Sequence, residues 1–236
     1  MPRHLAVLML AALAGRCGTS APAARPSSAA PDVTLSAAPV RYLALGDSFT
    51  IGTGSSPEAA FPARLAARWS SARCAVALLN PAVNGYTTQD VLDAELPTVR
   101  PFAPSLVTLA VGANDLVRGR PLAAYRAQLA RIFDALAAAG VAGSRVVAIP
   151  QPDWARSPAA AGFGDPDALH ASIVAFNGAL RAETEARGGR YIDLFPLMVE
   201  QTRAGQVAGD GLHPDARAHD AWAGELARQL PDPCAR

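Results

Sequence analysis

Arg41-Tyr42-Leu43-Ala44-Leu45-Gly46-Asp47-Ser48 reads as one buried strand followed by a polar turn: a near-continuously apolar run to Leu45, then a glycine and two polar residues. A short run with no polar alternation suits a strand covered on both faces, the situation of a parallel sheet. Four further runs have the same character, at Val76–Leu79, Leu106–Val111, Arg145–Ile149 and Tyr191–Leu194. Between them the apolar residues fall at helical spacing. Leu122, Tyr125, Leu129, Ile132, Phe133 and Leu136 form one stripe, Leu169, Ile173, Phe176 and Leu180 a second, and Trp222, Leu226 and Leu230 a third. Each stripe predicts an amphipathic helix laid on the sheet, and aromatics on such a stripe belong to the core. Alternating strands and helices imply a three-layer α/β domain with right-handed crossovers.

In sheets of this kind ligands bind beyond the carboxyl ends of the strands, so the loops there are where chemistry is expected. Four of them carry polar residues: Gly46-Asp47-Ser48, Asn84-Gly85, Gly112-Ala113-Asn114-Asp115 and Asp210-Gly211-Leu212-His213-Pro214. Taken singly, each is also an ordinary turn or helix cap. Taken together they supply a hydroxyl, a base, an orienting carboxylate and several hydrogen-bond donors, the parts of an acyl-transfer site. Of the four histidines, His4 precedes the domain, while His170 and His219 fall within helical patterns; His213 alone sits in a loop, between glycine and proline. A histidine three residues after an aspartate can have its ring held by that carboxylate while its other nitrogen faces a serine.

These four blocks, in this order, resemble the GDSL or SGNH family of serine hydrolases. Gly-Asp-Ser lies near the start of the domain, Asn-x-x-x-Asn-Gly-x-Thr-Thr spans Asn80 to Thr88, Gly-x-Asn-Asp spans Gly112 to Asp115, and Asp-x-x-His spans Asp210 to His213. The resemblance covers the chain from Val40 to the last helix. It implies a three-layer α/β/α sandwich around a five-stranded parallel, flavodoxin-like sheet, with no cofactor and no metal. It also implies Ser48 as nucleophile, His213 and Asp210 as the rest of the triad, and an oxyanion hole made of the Ser48 N–H, the Gly85 N–H and the Asn114 side chain. Activity then rises with pH as the imidazole base loses its proton. Within the family, lipids, short-acyl esters and acetylated sugars all remain open as substrates. A silent envelope protein that binds glycan or lipid is the rival from another class, and the presence of Ser48, Asp210 and His213 together counts against it.

Two stretches bear on specificity. Phe49 and Ile51 follow the serine and fit either an acyl groove or plain helix packing, and the long connection from Gln151 to Asp165 contains Trp154 and Phe163. Long loops at this end of a sheet serve as lids or as plain surface.

The ends of the chain concern location. Arg3 and His4 lead into an apolar run from Leu5 to Ala14, which predicts a secretory signal peptide over residues 1–17. That run is too short for the ~20 apolar residues of a membrane-spanning helix. Ala12 and Ala14 suit cleavage after Ala14. Leu13-Ala14-Gly15-Arg16-Cys17 resembles a lipobox with one insertion, with Arg16 departing from the pattern. Residues 18–38, rich in Ala, Pro, Ser and Thr, predict a disordered tether, leaving 39–236 as the catalytic domain. The expected location is secreted or periplasmic, with anchoring through Cys17 as the alternative. Export permits a disulfide, and Cys74 and Cys234 are the two cysteines of the domain; a bridge between them and two buried thiols both fit. The 21 basic residues, all Arg, against 20 acidic ones leave a net charge of +1. Nothing in that balance draws nucleic acid, and no cysteine–histidine spacing suggests zinc. The expected partner is a small ester; oligomeric state is not legible.

Overall fold

A computed structural model describes residues 39–71 and 74–234. The expected signal peptide, tether and Cys17 lie outside these residues. The strands are β1 (Val40–Gly46), β2 (Val76–Leu79), β3 (Leu106–Ala110), β4 (Val146–Ala148) and β5 (Arg190–Tyr191). They form one sheet in the order β2-β1-β3-β4-β5, and every pairing is parallel. The helices are α1 (Ser48–Ile51), α2 (Phe61–Trp69), α3 (Thr88–Asp90), α4 (Val99–Phe102), α5 (Ala113–Val117), α6 (Leu122–Ala138), α7 (Pro166–Ala186), α8 (Phe195–Arg203) and α9 (Ala216–Gln229). The expected three-layer α/β/α sandwich is present.

The alternation of side chains along β1 divides the core in two. Tyr42 and Ala44 point into a cluster with Phe61, Leu65 and Trp69 of α2, Met198 of α8, and Trp222 and Leu226 of α9. Leu43 and Leu45 point the other way, among Tyr125, Leu129, Ile132 and Phe133 of α6 and Phe176 and Leu180 of α7. Both faces of the central strands are buried, as the unbroken apolar runs require. The fifth strand is shorter than its expected span of Tyr191–Leu194. Ile192 still donates to the Ala148 carbonyl, but Leu194 turns back onto Ile192 and Pro196 stands at the start of α8.

Helix starts are built by local chemistry. Asp165 caps α7 by accepting the N–H groups of Asp167 and Ala168, with Pro166 in the first turn. Asp215 does the same for α9 through Arg217 and Ala218. The second of these caps fixes the end of the loop that carries Asp210 and His213. Cys74 and Cys234 are joined in a disulfide with a Cα–Cα separation of 5.7 Å, so the bridge is the alternative realised.

The topology also explains where the site lies. From β1 the chain moves to one neighbour, β2, and then crosses to the other, β3, so a crevice opens where the two connections diverge. Ser48 follows β1 and Asn114 follows β3 directly at that crevice.

Candidate active site

Ser48 is the first residue of α1, and Asp47 caps that short helix by accepting the Phe49 N–H at 3.0 Å. A Cβ on Gly46 would stand 2.4 Å from the Ala110 carbonyl oxygen of β3, so only glycine lets β1 run this close before it turns. Among the described backbone hydrogen bonds, the N–H groups of Ser48 and Gly85 make none. Gly85, at φ +87°, turns the Asn84-Gly85 loop with a conformation that favours glycine. Asn114 donates one amide hydrogen to the Tyr86 carbonyl at 2.9 Å, which orients the side chain and leaves its second hydrogen for the cleft.

His213 is held by Asp210. The ring Nδ1 lies 2.7 Å from Asp210 Oδ2, while Asp210 Oδ1 accepts the N–H groups of Leu212 at 2.9 Å and His213 at 3.0 Å. Burial alone would raise the Asp210 pKa. The hydrogen bonds from the two backbone N–H groups and the imidazole outweigh it and hold the carboxyl below its ordinary range. A residue not singled out by the sequence reading supports this pair. Gly54, at φ +85°, packs beneath it, and a Cβ there would stand 2.5 Å from Ala208 and 3.4 Å from both Asp210 Oδ2 and His213 Cβ. Its only signal was the Gly-x-Gly spacing with Gly52.

Ser48, Gly85, Asn114 and His213 border a single cleft of about 220 Å³, with Asp210 behind the histidine. All five site residues expected from sequence therefore come together. Among the described residues no hydrogen bond joins Ser48 Oγ to the His213 ring; such contacts commonly tighten when substrate binds. Apart from Asn84, the remaining wall is apolar, made by Phe49, Ala113, Val117, Trp154, Phe163 and Leu212. Phe49 lies 5.3 Å, centroid to centroid, from the His213 ring. Ile51 does not line the cleft, since two residues along a helix it faces away from Phe49. The connection 151–165 does reach the site: it forms 3₁₀ turns at Trp154–Arg156 and Pro158–Phe163 and delivers both of its aromatic rings to the wall.

Asp115 and His170 have structural partners. Asp115 accepts the N–H and hydroxyl of Thr88 at 2.8 and 2.6 Å and pairs with Arg120 at 2.6 Å, tying the Thr87-Thr88 loop to α5. His170 Nδ1 lies 2.9 Å from Asp153 Oδ2 and secures the 151–165 connection to α7. A larger cavity, of about 650 Å³, opens at the amino ends of the strands among Trp69, Leu106, Leu230, Arg41, Arg145 and Arg190. It contains no nucleophile–base pair and lies at the end of the sheet opposite the serine. Among the described residues no helix is long and apolar enough to cross a membrane.

The fold recurs in solved structures. The extracellular lipase of Streptomyces rimosus is 21% identical and superposes with a TM-score of 0.60 over 81% of this chain and all of that one. Phospholipase A1 of Streptomyces albidoflavus is 21% identical, with a TM-score of 0.62 over 82% of this chain and all of that one. An acetyl-xylooligosaccharide esterase of Geobacillus is 16% identical, with a TM-score of 0.63 over 80% and 93%. At these identities the likeness speaks for the fold. A search of curated protein sequences finds no match. The family model for GDSL-like lipases and acylhydrolases, however, matches residues 44–221, from the middle of β1 into α9 and through all four motif blocks, and the chain belongs to that family of ester-cleaving serine hydrolases.

Proposed function

We propose that the protein is an exported esterase that cleaves carboxylic esters of short acyl chains through an acyl-enzyme on Ser48. The observation that carries this reading is the convergence of Ser48, Gly85, Asn114 and His213 on one cleft while Asp210 grips His213 from behind. In the first step Ser48 Oγ bonds to the ester carbonyl carbon as His213 takes the hydroxyl proton. The carbonyl oxygen, now negative, is met by the N–H groups of Ser48 and Gly85 and the free amide hydrogen of Asn114. His213 then returns the proton to the departing alcohol as the carbonyl re-forms. Water, deprotonated by the same imidazole, repeats the sequence on the acyl-enzyme and releases the acid.

The apolar wall supports an acyl chain as the occupant, and its size supports a small one. About 220 Å³ is below the ~300–1,000 Å³ of clefts that enclose larger ligands. Export is supported by the signal-like residues 1–17 and by the disulfide, which belongs to oxidising surroundings. In this reading residues 18–38 link the leader to a hydrolase domain at 39–236.

The test is hydrolysis of p-nitrophenyl esters from acetate to palmitate by the purified domain and its Ser48→Ala variant. Turnover that peaks among short chains and vanishes in the variant is expected. Turnover that survives in Ser48→Ala removes the serine mechanism, and a peak at palmitate replaces short-acyl substrates with lipids. Release of acetate from acetylated glycans, with no p-nitrophenyl ester cleaved, would instead assign a carbohydrate deacetylase.

A further inference from the structure

Beneath the nucleophile turn lies a carboxyl that ester cleavage, as described, does not use. Glu95 ends the π-helical turn Val91–Glu95 and is fully buried, with no accessible surface. Its Oε2 accepts the N–H of Gly46, two residues before Ser48, at 2.9 Å. The bond meets a need of the sheet. β2 pairs with β1 only as far as Leu43, so beyond that point the edge of β1 requires another acceptor. Gly46 is at the same time pressed against Ala110 and Thr50. Glu95 thus holds from one side the strand end that β3 holds from the other.

The surroundings of Glu95 are those of an uncharged acid. Its Oε1 has no hydrogen-bond partner, and neither does Oδ2 of the equally buried Asp47. The charged groups that act on it, Asp47 beside the serine and Asp90 on α3, are both negative when ionised. Among the described residues no arginine forms an ion pair with Glu95 or Asp47: Arg120 pairs with Asp115, and Arg118 donates to the Gly85 carbonyl. Tyr125 of α6, which lies in the field of Asp47, donates its hydroxyl to the Val111 carbonyl. An unpaired buried charge is costly, and a second carboxylate adds repulsion. Burial, the largest effect, pushes Glu95 up to about 8 against the opposing hydrogen bond from the Gly46 N–H, with Asp47 and Asp90 adding smaller upward pushes; burial pushes Asp47 up to about 7.

We propose that Glu95 is a positioning residue of the nucleophile turn that works as a neutral carboxylic acid, so that losing its proton in alkaline solution disorders the Ser48 turn and switches ester cleavage off. The inference rests on Ser48 as nucleophile. In the neutral state Oε2 is the carbonyl oxygen that receives the Gly46 N–H, and Oε1 carries the proton. On ionisation the pocket holds unpaired carboxylates at Glu95 and Asp47, and the strand end between β3 and Glu95 is what can yield.

The experiment measures kcat and KM from pH 6 to 10 for the full chain, Glu95→Leu and Glu95→Gln, using p-nitrophenyl acetate. Thermal unfolding of the same proteins is followed at pH 7 and pH 9. The wild type loses kcat with a midpoint near pH 8 while KM changes little. Glu95→Leu, which removes the acceptor, lowers kcat about tenfold or more at every pH. Glu95→Gln, neutral at all pH values, rescues kcat and abolishes the alkaline loss. Because the acid is raised in the folded state, wild-type stability is lost as pH rises through the folded value. Its melting temperature therefore falls from pH 7 to pH 9 by ~4 °C or more relative to Glu95→Gln. A Glu95→Gln enzyme with the wild-type alkaline limb, or one as poor as Glu95→Leu, overturns the proposal. If Ser48-dependent turnover is missing altogether, the esterase reading has failed, and the melting difference still decides the protonation state.

Discussion

The Asp210 carboxylate holds His213 by two oxygens with different duties: Oδ2 meets the ring Nδ1 at 2.7 Å, while Oδ1 takes the backbone N–H of His213 itself at 3.0 Å. One oxygen sets the tautomer and the other fixes the turn, and the two can be separated by mutation. In Asp210→Asn the amide oxygen still serves the backbone, but the amide nitrogen presents a donor to Nδ1 and turns the imidazole proton to the wrong side. The expected result is an intact fold with kcat reduced by about three to four orders of magnitude. Circular dichroism together with turnover checks it, and a loss of less than tenfold would remove Asp210 from the mechanism.

Asn114 poses a similar question for the oxyanion. Its amide is already oriented by the Tyr86 carbonyl at 2.9 Å, so the free hydrogen needs no reorganisation when charge develops. Asn114→Ala should lower kcat by about two to three orders with KM nearly constant. A rise in KM at constant kcat would mean that Asn114 binds the ground state instead.

Phe163 is the wall residue best suited to report on chain length. It is 42% exposed and meets the Trp154 ring edge-on at 5.3 Å, whereas Trp154 is buried and anchored through its indole N–H to Gln151. Removing Phe163 therefore trims the mouth of the cleft without opening the core. Phe163→Ala should reduce kcat/KM increasingly along the series from acetate to hexanoate, reaching about tenfold, the worth of roughly 1.4 kcal/mol of lost apolar contact. An equal loss on every ester would place the chain elsewhere.

The order of strands and helices was legible because parallel βαβ units leave a strong pattern, and the blocks after β1, β2 and β3 were legible as polar turns at strand ends, whereas Asp210 and His213 stand in a loop between α8 and α9 and were marked by their Asp-x-x-His spacing. What stayed hidden depends on contacts between distant residues. Nothing near Glu95 in sequence announces Gly46 as its partner, 49 residues away. His170 looks like any helical residue until Asp153, 17 residues earlier, is seen against it. Helix α2 had a usable signal in Phe61, Leu65 and Trp69, which repeat every four residues and are all buried. Of the two residues after the serine, Phe49 lines the cleft and Ile51 does not, because residues two apart on α1 face different ways.

His219 gives a stability prediction of definite sign. It is fully buried on α9, stacked 6.4 Å from Phe61 and edge-on to Trp222 at 5.0 Å, and neither ring nitrogen has a partner. Burial lowers its pKa from 6.5 to about 4, against the pull of Asp215. The unfolded chain therefore binds a proton that the folded one refuses. The stability this represents is present above the unfolded value of 6.5 and is lost as pH falls toward 4. His219→Phe removes the titration. Relative to wild type, the variant should gain about 2 kcal/mol of stability at pH 5 over its standing at pH 7.5, read by urea unfolding at the two pH values. A constant difference would mean that His219 is solvated or paired in solution.

The disulfide is the last element whose contribution can be isolated. Cys74 and Cys234 are separated by 160 residues, and their bond ties the tail after α9 to the start of β2. Closing so large a loop restricts the unfolded chain, a contribution of about 2–5 kcal/mol. The same region is already held by packing of α2 on α9 and by the Arg68–Asp220 pair at 2.9 Å, so loss of the bridge should lower the melting temperature without unfolding the domain at 25 °C. The bridge lies at the amino ends of the strands and the cleft at their carboxyl ends, so turnover at 25 °C should persist in Cys74→Ser/Cys234→Ser. Thermal unfolding with and without reductant, beside ester hydrolysis by the double variant, tests both halves. An unchanged melting temperature would show that the bridge constrains a part of the chain that unfolds independently, and a loss of turnover would show that the two ends of the sheet are coupled.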